Sequence, residues 1–461
     1  MKAGGEKVKL TVIGGGGVRS MFLAKSIAQA AEELDIDKLV FMDIDTEKLR
    51  IYGGMAAKIV KLLCPKLKFS CTTNVVEAFI GADYIITTVR AGGDGMRVRD
   101  ERIALAAGVI GQETTGAAGF SFAMRSIPVL LDYCAYVKKY AKPDVKIFNF
   151  TNPAGLVSQA MRDAGHDNTF GICDAPTSML GSFAELLSVP SESVSGEAFG
   201  LNHLSFFESV TVNGKNVLPR LIESDVAYER TDMRYFDKAY LRRKQLIPNE
   251  YLYYYYSRER ALENINGASE TRGEQIERLN KAMTAELAEK DIVNDFNGCL
   301  KIFDKYYGMR ENSYMASETG IRRGTEWHFN PFSIDAGGYA GVALKYMRIV
   351  SSGKPGKMIM CVPNNGALSF LEDSDIIEAT CDVTANGVFP HRFTVDDEDT
   401  RELIRRMKLY ERNAAKAILL KNRDMAVSAL MLHPLIESYT LAVSLVDSYI
   451  ELNKEFSDGW K

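Results

Sequence analysis

Apolar and polar positions at the start of the chain predict strands and helices in regular succession. Residues 8–13, VKLTVI, read as a buried strand that runs into four glycines, Gly14 to Gly17. The residues that follow are apolar at helical spacing, at Met21, Ala24, Ile27, Ala28, Ala31 and Leu34. A second apolar run, LVFMDID, ends near Asp43. This order of strand, glycine turn, helix and strand predicts a βαβ unit.

The alternation continues to about residue 175. Further strand-like runs are DYIITTV at 83–89, VKIFNF at 145–150 and FGICDA at 170–175. A crossover helix is predicted over 120–141, with a cut or kink at Pro128. Strands that alternate with helices form a parallel sheet covered on both faces. We therefore predict an α/β fold with a Rossmann-like, doubly wound parallel sheet.

Beyond residue 175 the pattern is mixed. Asn213-Gly214 is a strong two-residue hairpin signal, residues 356–394 contain strand-like runs, and residues 398–457 are mostly helical. This mixture predicts an α+β second domain, with domains over 1–175 and 176–461. No flexible linker separates them, so we expect the two to interlock. A ligand then belongs in the crevice at the C-terminal ends of the parallel strands.

The glycine turn carries the clearest chemical signal. Glycines allow a tight turn and a close backbone approach, and the following helix presents its positive end to a pyrophosphate. Asp43 lies 27 residues after Gly16, where a carboxylate can hold a ribose, although the usual gap is about 20. Arg19 occupies the position of the third fingerprint glycine. An ordinary αβ turn is the alternative. The residues expected to bind the dinucleotide are Gly14, Gly16, Gly17, Val18, Arg19, Asp43 and Arg90.

Composition narrows the class of protein. The chain has 461 residues, of which 46% are hydrophobic and 25% charged, and its net charge is −4. This charge disfavours nucleic acid as the main partner. There is no apolar run of membrane-spanning length and no signal-peptide pattern. Seven irregularly spaced cysteines suggest reduced thiols, and we expect a cytoplasmic protein.

Polar residues follow successive predicted strands. Arg90 and Arg97 come after the third strand, Asn152 after the fourth and Cys173-Asp174 after the fifth. Such groups converge in doubly wound folds. Taken alone, Cys173 is more simply a buried small side chain and His203 a structural histidine. Their joint position makes a shared site more plausible, because the chain has only five histidines.

Several motifs together resemble glycoside hydrolase family 4, the glycosidases that depend on NAD and a divalent metal. They are VIGGGGVR, DID after the second strand, GQETTGAAGF at 111–120, TNPAG at 151–155, GICDAP at 171–176, GLNHLSF at 200–206, NEYLYYYY at 249–256, TRGEQI at 271–276 and GGYAGVAL at 337–344. The resemblance covers nearly the whole chain and is strongest to the 6-phospho-β-glucosidases. It implies a lactate/malate dehydrogenase-like architecture and a homodimer or homotetramer.

The resemblance also implies roles for individual residues. Cys173 and His203 match metal ligands, usually of Mn²⁺, although thiolate and imidazole ordinarily favour softer metals. Tyr251 matches the catalytic base and Asp174 the acid. The positions that correspond to substrate-binding residues are Arg97, Asn152, Asn202 and Arg272. Many 6-phospho-β-glucosidases have Asn after the metal-binding Cys, whereas 6-phospho-α-glucosidases have Asp, so Asp174 keeps the α-glucosidase alternative open.

The implied reaction differs from that of most glycosidases, which use two carboxylates. Hydride leaves C3 of the sugar for NAD⁺, the C2 proton becomes acidic, Tyr251 removes it, and the glycosidic oxygen is eliminated. Water then adds at C1 and hydride returns. For this role the phenol pKa must fall from about 10, and a nearby cation would lower it. The expected substrate is a glucoside that carries a 6-phosphate.

Two alternatives of another kind remain at this point. A 2-hydroxy-acid dehydrogenase shares the Rossmann start but needs a His–Asp pair and no Cys/His metal site. A non-catalytic NAD-binding redox sensor would need neither a His–Asp pair nor a metal site. Another family 4 glycosidase, acting on an unphosphorylated glycoside, is the remaining variant.

Overall fold

A mixed sheet runs through the centre of the fold. The computed structural model describes residues 7–323, 327–334 and 340–461, and within these ranges the sheet has nine strands. Six strands of the first half are parallel: β1 Val8–Ile13, β2 Ile36–Met42, β3 Lys68–Thr72, β4 Tyr84–Thr87, β5 Lys146–Asn149 and β6 Thr169–Gly171. Their spatial order, β3-β2-β1-β4-β5-β6, confirms the doubly wound prediction. The order reverses beside β1, and this is where ligands bind in such sheets.

Helices cover both faces of these strands. They are α1 Ser20–Ala30, α2 Thr46–Lys48, α3 Gly54–Leu63, α4 Val75–Phe79, α5 Gly93–Ala106, α6 Ala118–Tyr140, α7 Ala154–Asp163 and α8 Ala175–Leu187, with a π-helical turn at Leu49–Gly53. The cut expected at Pro128 is absent, since α6 continues through it. The buried first half of that helix packs into the core, and this packing outweighs the lost backbone hydrogen bond.

A second, antiparallel sheet follows. Its strands are β7 Val194–Leu201, β8 Leu204–Val212, β9 Lys215–Asn216 and β10 Ile247–Pro248. Asn213 and Gly214 both have positive φ and join β8 to β9, which confirms the hairpin predicted there. The helices of this part of the chain are α9 Leu218–Glu223, α10 Asp225–Arg230, α11 Lys238–Lys244, α12 Tyr253–Tyr256, α13 Arg258–Gly267, α14 Arg272–Ala288, α15 Phe296–Asn312 and α16 Ala316–Thr319. Three single 3-10 turns lie at Ser191–Ser193, Asp232–Tyr235 and Glu250–Leu252.

The last part of the chain returns to the large sheet. After α17 Gly341–Ser352 come β11 Gly356–Pro363, β12 Ile376–Thr384 and β13 Gly387–Pro390, followed by α18 Glu398–Leu420, α19 Arg423–Leu432 and α20 Tyr439–Leu452. Strand β11 pairs antiparallel with β6 through Cys361 and Gly171, so the second half extends the sheet of the first. The domain boundary at residue 175 stays a prediction. The first three residues of the GGYAGVAL motif, 337–339, lie outside the described residues.

Burial explains why these runs form strands. All six residues of β1 are buried, as a strand covered by helices on both faces requires. None of the helices in the described ranges is long and apolar enough to cross a membrane. All seven cysteines are free thiols, as their irregular spacing predicts.

Candidate active site

The glycine turn between β1 and α1 is held by close backbone contacts. Gly14 has φ +87°, and a Cβ atom there would lie 2.6 Å from the carbonyl oxygen of Thr88. The amides of Gly14 and Gly15 both donate to the carbonyl of Met42 at 2.9 Å. Only glycine can adopt this positive φ without placing a Cβ atom against the Thr88 carbonyl. The conformation of the turn therefore requires glycine at position 14.

Asp43 lies directly beside the turn. Its Oδ2 accepts a hydrogen bond from the amide of Gly16 at 2.9 Å, so the long sequence gap between them closes in space. Arg19, at the third fingerprint position, forms the N-cap of α1 with φ −87° and ψ −1°. Any residue adopts this conformation, so the missing glycine is tolerated.

A cavity of about 920 Å³ opens over this turn, and we call it the nucleotide cavity. It lies at the reversal point of the sheet, and its lining includes all the residues predicted to bind a dinucleotide, Gly14, Gly16, Gly17, Val18, Arg19, Asp43 and Arg90. Asn152, which resemblance assigns to the substrate, also lines this cavity.

A smaller cavity of about 230 Å³ adjoins it, and we call it the reaction cavity. The two share Arg19, Ile276 and Arg310 in their walls. Five of the predicted chemical residues line the smaller one: Arg97, Asp174, His203, Tyr251 and Arg272. Residues that are far apart in sequence are thus gathered around one space next to the glycine turn.

His203 lines the reaction cavity, whereas Cys173 is buried and does not line it. His203 has φ +62°, a left-handed conformation uncommon for histidine, at the tip of the β7–β8 hairpin. Burial lowers its pKa to about 3, so its imidazole is neutral, and its Nδ1 atom has no hydrogen-bond partner within the described residues. Burial raises the pKa of the Cys173 thiol, and the nearby side chain of Asn202 opposes this shift in part.

Tyr251 stacks on His203, with the ring centroids 3.8 Å apart and the planes 7° from parallel. The ring of Tyr314 lies edge-on to Tyr251, with centroids 6.5 Å apart, and the Tyr314 hydroxyl donates to Oε1 of Glu250 at 3.1 Å. Burial, and secondarily the carboxylate of Glu250, raises the pKa of Tyr251. The protein surroundings alone therefore do not make this phenol a base near neutral pH.

A buried chain of charges connects the two cavities. Glu113 binds Arg90 of the nucleotide cavity at 2.5 Å and Arg97 of the reaction cavity at 3.4 Å. Burial would raise the pKa of Glu113, but the two guanidinium groups outweigh it and hold the pKa well below its usual range. Arg97 also pairs with Glu101 at 2.8 Å. These ion pairs fix the side chains that face both cavities.

The remaining predicted residues lie as follows. Asp174 is the N-cap of α8, and burial raises the pKa of its carboxyl. Arg272 begins α14 and is held by Gln275, Ser313 and the carbonyl of Arg310. Asn202 lies outside both cavity walls and donates to Glu378 at 3.1 Å.

Some residues of the site escaped the sequence reasoning. They are Glu113, Glu250, Tyr314, Arg310 and Glu378. Glu113 lies inside the quoted GQETTG motif, and Glu378 interrupts an apolar strand, IIEATC, which is the signal that could have marked it. Within the described residues no three His, Cys, Asp or Glu side chains converge as a metal cluster.

Comparisons with known proteins agree over nearly the whole chain. A family model described as family 4 glycosyl hydrolase matches residues 9–189, and that of the C-terminal domain of the same family matches residues 198–436. A 6-phospho-β-glucosidase of Thermotoga maritima is 28% identical over 97% of this chain and 99% of its own length.

Two solved structures have similar folds. The 6-phospho-β-glucosidase of Thermotoga maritima with manganese, NAD⁺ and glucose 6-phosphate has a TM-score of 0.80 at 28% identity, and the match covers 98% of this chain and 99% of that one. A 6-phospho-α-glucosidase from gut microorganisms, in complex with NAD and Mn²⁺, has a TM-score of 0.79 at 25% identity and covers 99% and 100%.

Proposed function

The chain belongs to family 4 of the glycosyl hydrolases, and from this premise we propose that it hydrolyses 6-phosphoglucosides with NAD⁺ and a divalent cation, Mn²⁺. One observation carries the proposal. The reaction cavity, with Tyr251, His203 and Asp174 in its wall, shares Arg19, Ile276 and Arg310 with the nucleotide cavity. A sugar in the smaller cavity would therefore lie next to a nicotinamide in the larger one.

The residues fit both cofactors. The glycine turn and the first turn of α1 line the larger cavity, where the helix N-terminus favours a pyrophosphate. In the smaller cavity the neutral His203 has a buried Nδ1 without a protein partner in the described ranges, and Cys173 is close enough to Tyr251 for its charge to affect that phenol. Two protein donors leave the other positions of a cation to oxygen ligands from substrate and water, which suits Mn²⁺.

When bound, NAD⁺ supplies a reversible hydride acceptor and the cation supplies Lewis acidity at the sugar oxygens. Tyr251 takes the proton from C2 of the sugar. Its ring stacks on His203, so the phenol is held beside the proposed metal ligand. Burial raises its pKa, so Tyr251 needs a cation beside it to accept a proton near neutral pH.

Asp174 is proposed to give a proton to the departing glycosidic oxygen. Its half-buried carboxyl lines the same cavity, and burial raises its pKa, which is the direction that a proton donor needs. Arg97 and Arg272 present guanidinium groups whose geometry suits sugar hydroxyls or a phosphate. Asn202 and Asn152 complete the proposed substrate contacts, although neither lies in the wall of the reaction cavity.

We propose the β-linked substrate as the first choice. The Thermotoga 6-phospho-β-glucosidase supports it at 28% identity, against 25% for the α-glucosidase. The specific observation in favour of a 6-phospho-α-glucosidase is Asp174, the residue after Cys173. A homodimer or homotetramer and a cytoplasmic location also stay proposals.

The test is an assay of 4-nitrophenyl 6-phospho-α- and β-glucosides with NAD⁺ and Mn²⁺. We expect release of nitrophenol from the β-linked compound and no release after EDTA treatment. The unphosphorylated glucosides serve as controls and should react poorly. Full activity without metal, or no activity on either phosphorylated compound, would overturn the proposal. Faster release from the α-linked compound would reverse the anomeric assignment alone.

A further inference from the structure

Glu378 is a buried carboxylate to which the proposed reaction gives no role. It lies in β12 and is 1% exposed. Its two oxygens contact different side chains: Oε1 accepts from Nδ2 of Asn202 at 3.1 Å, and Oε2 accepts from the hydroxyl of Ser205 at 2.8 Å. A charged side chain in the middle of an apolar strand is costly unless it is well partnered. Its partners therefore indicate its role.

Both partners flank His203. Asn202 precedes it at the tip of the β7–β8 hairpin, and Ser205 follows it by two residues on β8. His203 itself has φ +62°, a conformation that the surrounding structure must hold in place. One carboxylate from the large sheet thus binds the hairpin of the second sheet on both sides of the proposed metal ligand.

The same carboxylate also reaches towards the other proposed ligand. Gly171, Cys361 and Glu378 are register partners across β6, β11 and β12, and Gly171 lies two residues before Cys173. The Cys361 thiol contacts Oε1 of Glu378 at 3.8 Å. Asn202, held by Glu378, is close enough to Cys173 to interact with its thiol. Glu378 therefore connects the segment that carries the thiol with the segment that carries the imidazole.

We propose that Glu378 is a positioning residue. It fixes the hairpin that carries His203 against the segment after β6 that carries Cys173, so that the imidazole and the thiol can bind one divalent cation. This inference rests on the proposed function, because it assumes that the two side chains are metal ligands. Partners that orient metal ligands commonly matter nearly as much as the ligands themselves.

Thr380 provides a matched control. It lies two residues further along β12, on the same strand face, and is equally buried. It too joins the large sheet to the second one: its hydroxyl accepts from the amide of Ala198 at 2.9 Å and donates to the carbonyl of Gly196 at 3.1 Å. These contacts are with β7, away from the hairpin tip. Loss of Thr380 weakens the contact between the sheets without freeing His203.

The experiment measures Mn²⁺ affinity of the full chain from the electron paramagnetic resonance signal of free Mn²⁺. We expect Glu378→Ala to weaken binding by about 10–100-fold. Glu378→Gln should retain most of the affinity, because its amide oxygen can accept from Asn202 and its N–H group can donate to the Ser205 hydroxyl. Thr380→Val should bind Mn²⁺ like the wild type. The Co²⁺ absorption band from thiolate coordination should weaken only in Glu378→Ala.

Wild-type affinity in Glu378→Ala, or an equal loss in Thr380→Val, would overturn the positioning role while the proposed function stands. If the wild type itself binds neither Mn²⁺ nor Co²⁺, the proposed function fails and the inference with it. Should Glu378→Ala not fold, Ser205→Ala removes one of the two donors. A severalfold loss of Mn²⁺ affinity there supports the role, and an unchanged affinity contradicts it.

Discussion

The nucleotide cavity and the reaction cavity are built in different ways. The groups predicted to hold the nucleotide come mainly from one short stretch of chain, in which β1, the glycine turn, α1 and Asp43 follow one another within 36 residues, 8–43, although α14 supplies part of the opposite wall. The second gathers Arg97, Asp174, His203, Tyr251 and Arg272 from distant segments. A local motif can therefore reveal the first, whereas the second exists only once the two sheets are packed together.

The largest expected effect separates the two cavities chemically. Tyr251→Phe should lower kcat by about 10²–10⁴-fold, the usual contribution of a general base, while NAD⁺ affinity stays unchanged. The phenyl ring keeps the stacking on His203, so only the hydroxyl is lost. Steady-state kinetics and a fluorescence titration with NAD⁺ measure the two quantities.

Tyr255→Phe is the matched control from the same tyrosine run. Its hydroxyl contacts the sulfur of Met407, and Tyr255 is in neither cavity wall. It should keep nearly full activity. Equal losses in the two variants would mean that the run acts through packing rather than chemistry.

The next effect tests the connection between the cavities. Glu113→Gln should destabilise the fold by about 1.5–3 kcal/mol near neutral pH, because Arg90 and Arg97 lose the carboxylate that they share, although Arg97 keeps Glu101 and Arg90 keeps Asp94. The pKa of Glu113 is lowered in the folded protein, so its contribution is fully present above the ordinary value of 4.5 and is lost as the pH falls below it. The difference between variant and wild type should therefore shrink in acid.

Urea denaturation at a series of pH values measures this difference. Glu77→Gln, at an exposed position of α4, serves as a control for the loss of one carboxylate. A Glu113→Gln penalty that is constant between neutral pH and pH 3 would contradict the charge-based explanation.

A smaller effect is expected at the glycine turn. Gly14→Ala combines φ +87° with a Cβ contact of 2.6 Å to the Thr88 carbonyl, and strain of this kind costs about 1–3 kcal/mol. Thermal melting should show this loss, and NAD⁺ affinity should fall as the turn moves. Gly181→Ala, in helix α8 with nothing within 4 Å of the new atom, should be neutral or slightly stabilising. Unchanged NAD⁺ affinity in Gly14→Ala would contradict the proposal that this turn binds the nucleotide.

The same contrast explains what could be predicted from the sequence. Local patterns were enough for the βαβ succession, the Asn213-Gly214 hairpin and the position of Asp43 beside the turn. They were not enough for the attachment of β11 to β6, because pairing between residues 171 and 361 leaves no local trace. Pro128 argued for a break in a helix that tertiary packing keeps continuous. Glu113 and Glu378 owe their importance to partners far away in sequence.

The central claim is that a redox cofactor and a proton acceptor act on one sugar across adjoining cavities. The most direct test is hydrolysis of 4-nitrophenyl 6-phospho-β-glucoside in D₂O with NAD⁺ and Mn²⁺, followed by NMR of the glucose 6-phosphate produced. The account predicts deuterium at C2 of the product, since Tyr251 removes the C2 proton and solvent replaces it. A product that retains only its original hydrogen at C2 would contradict it.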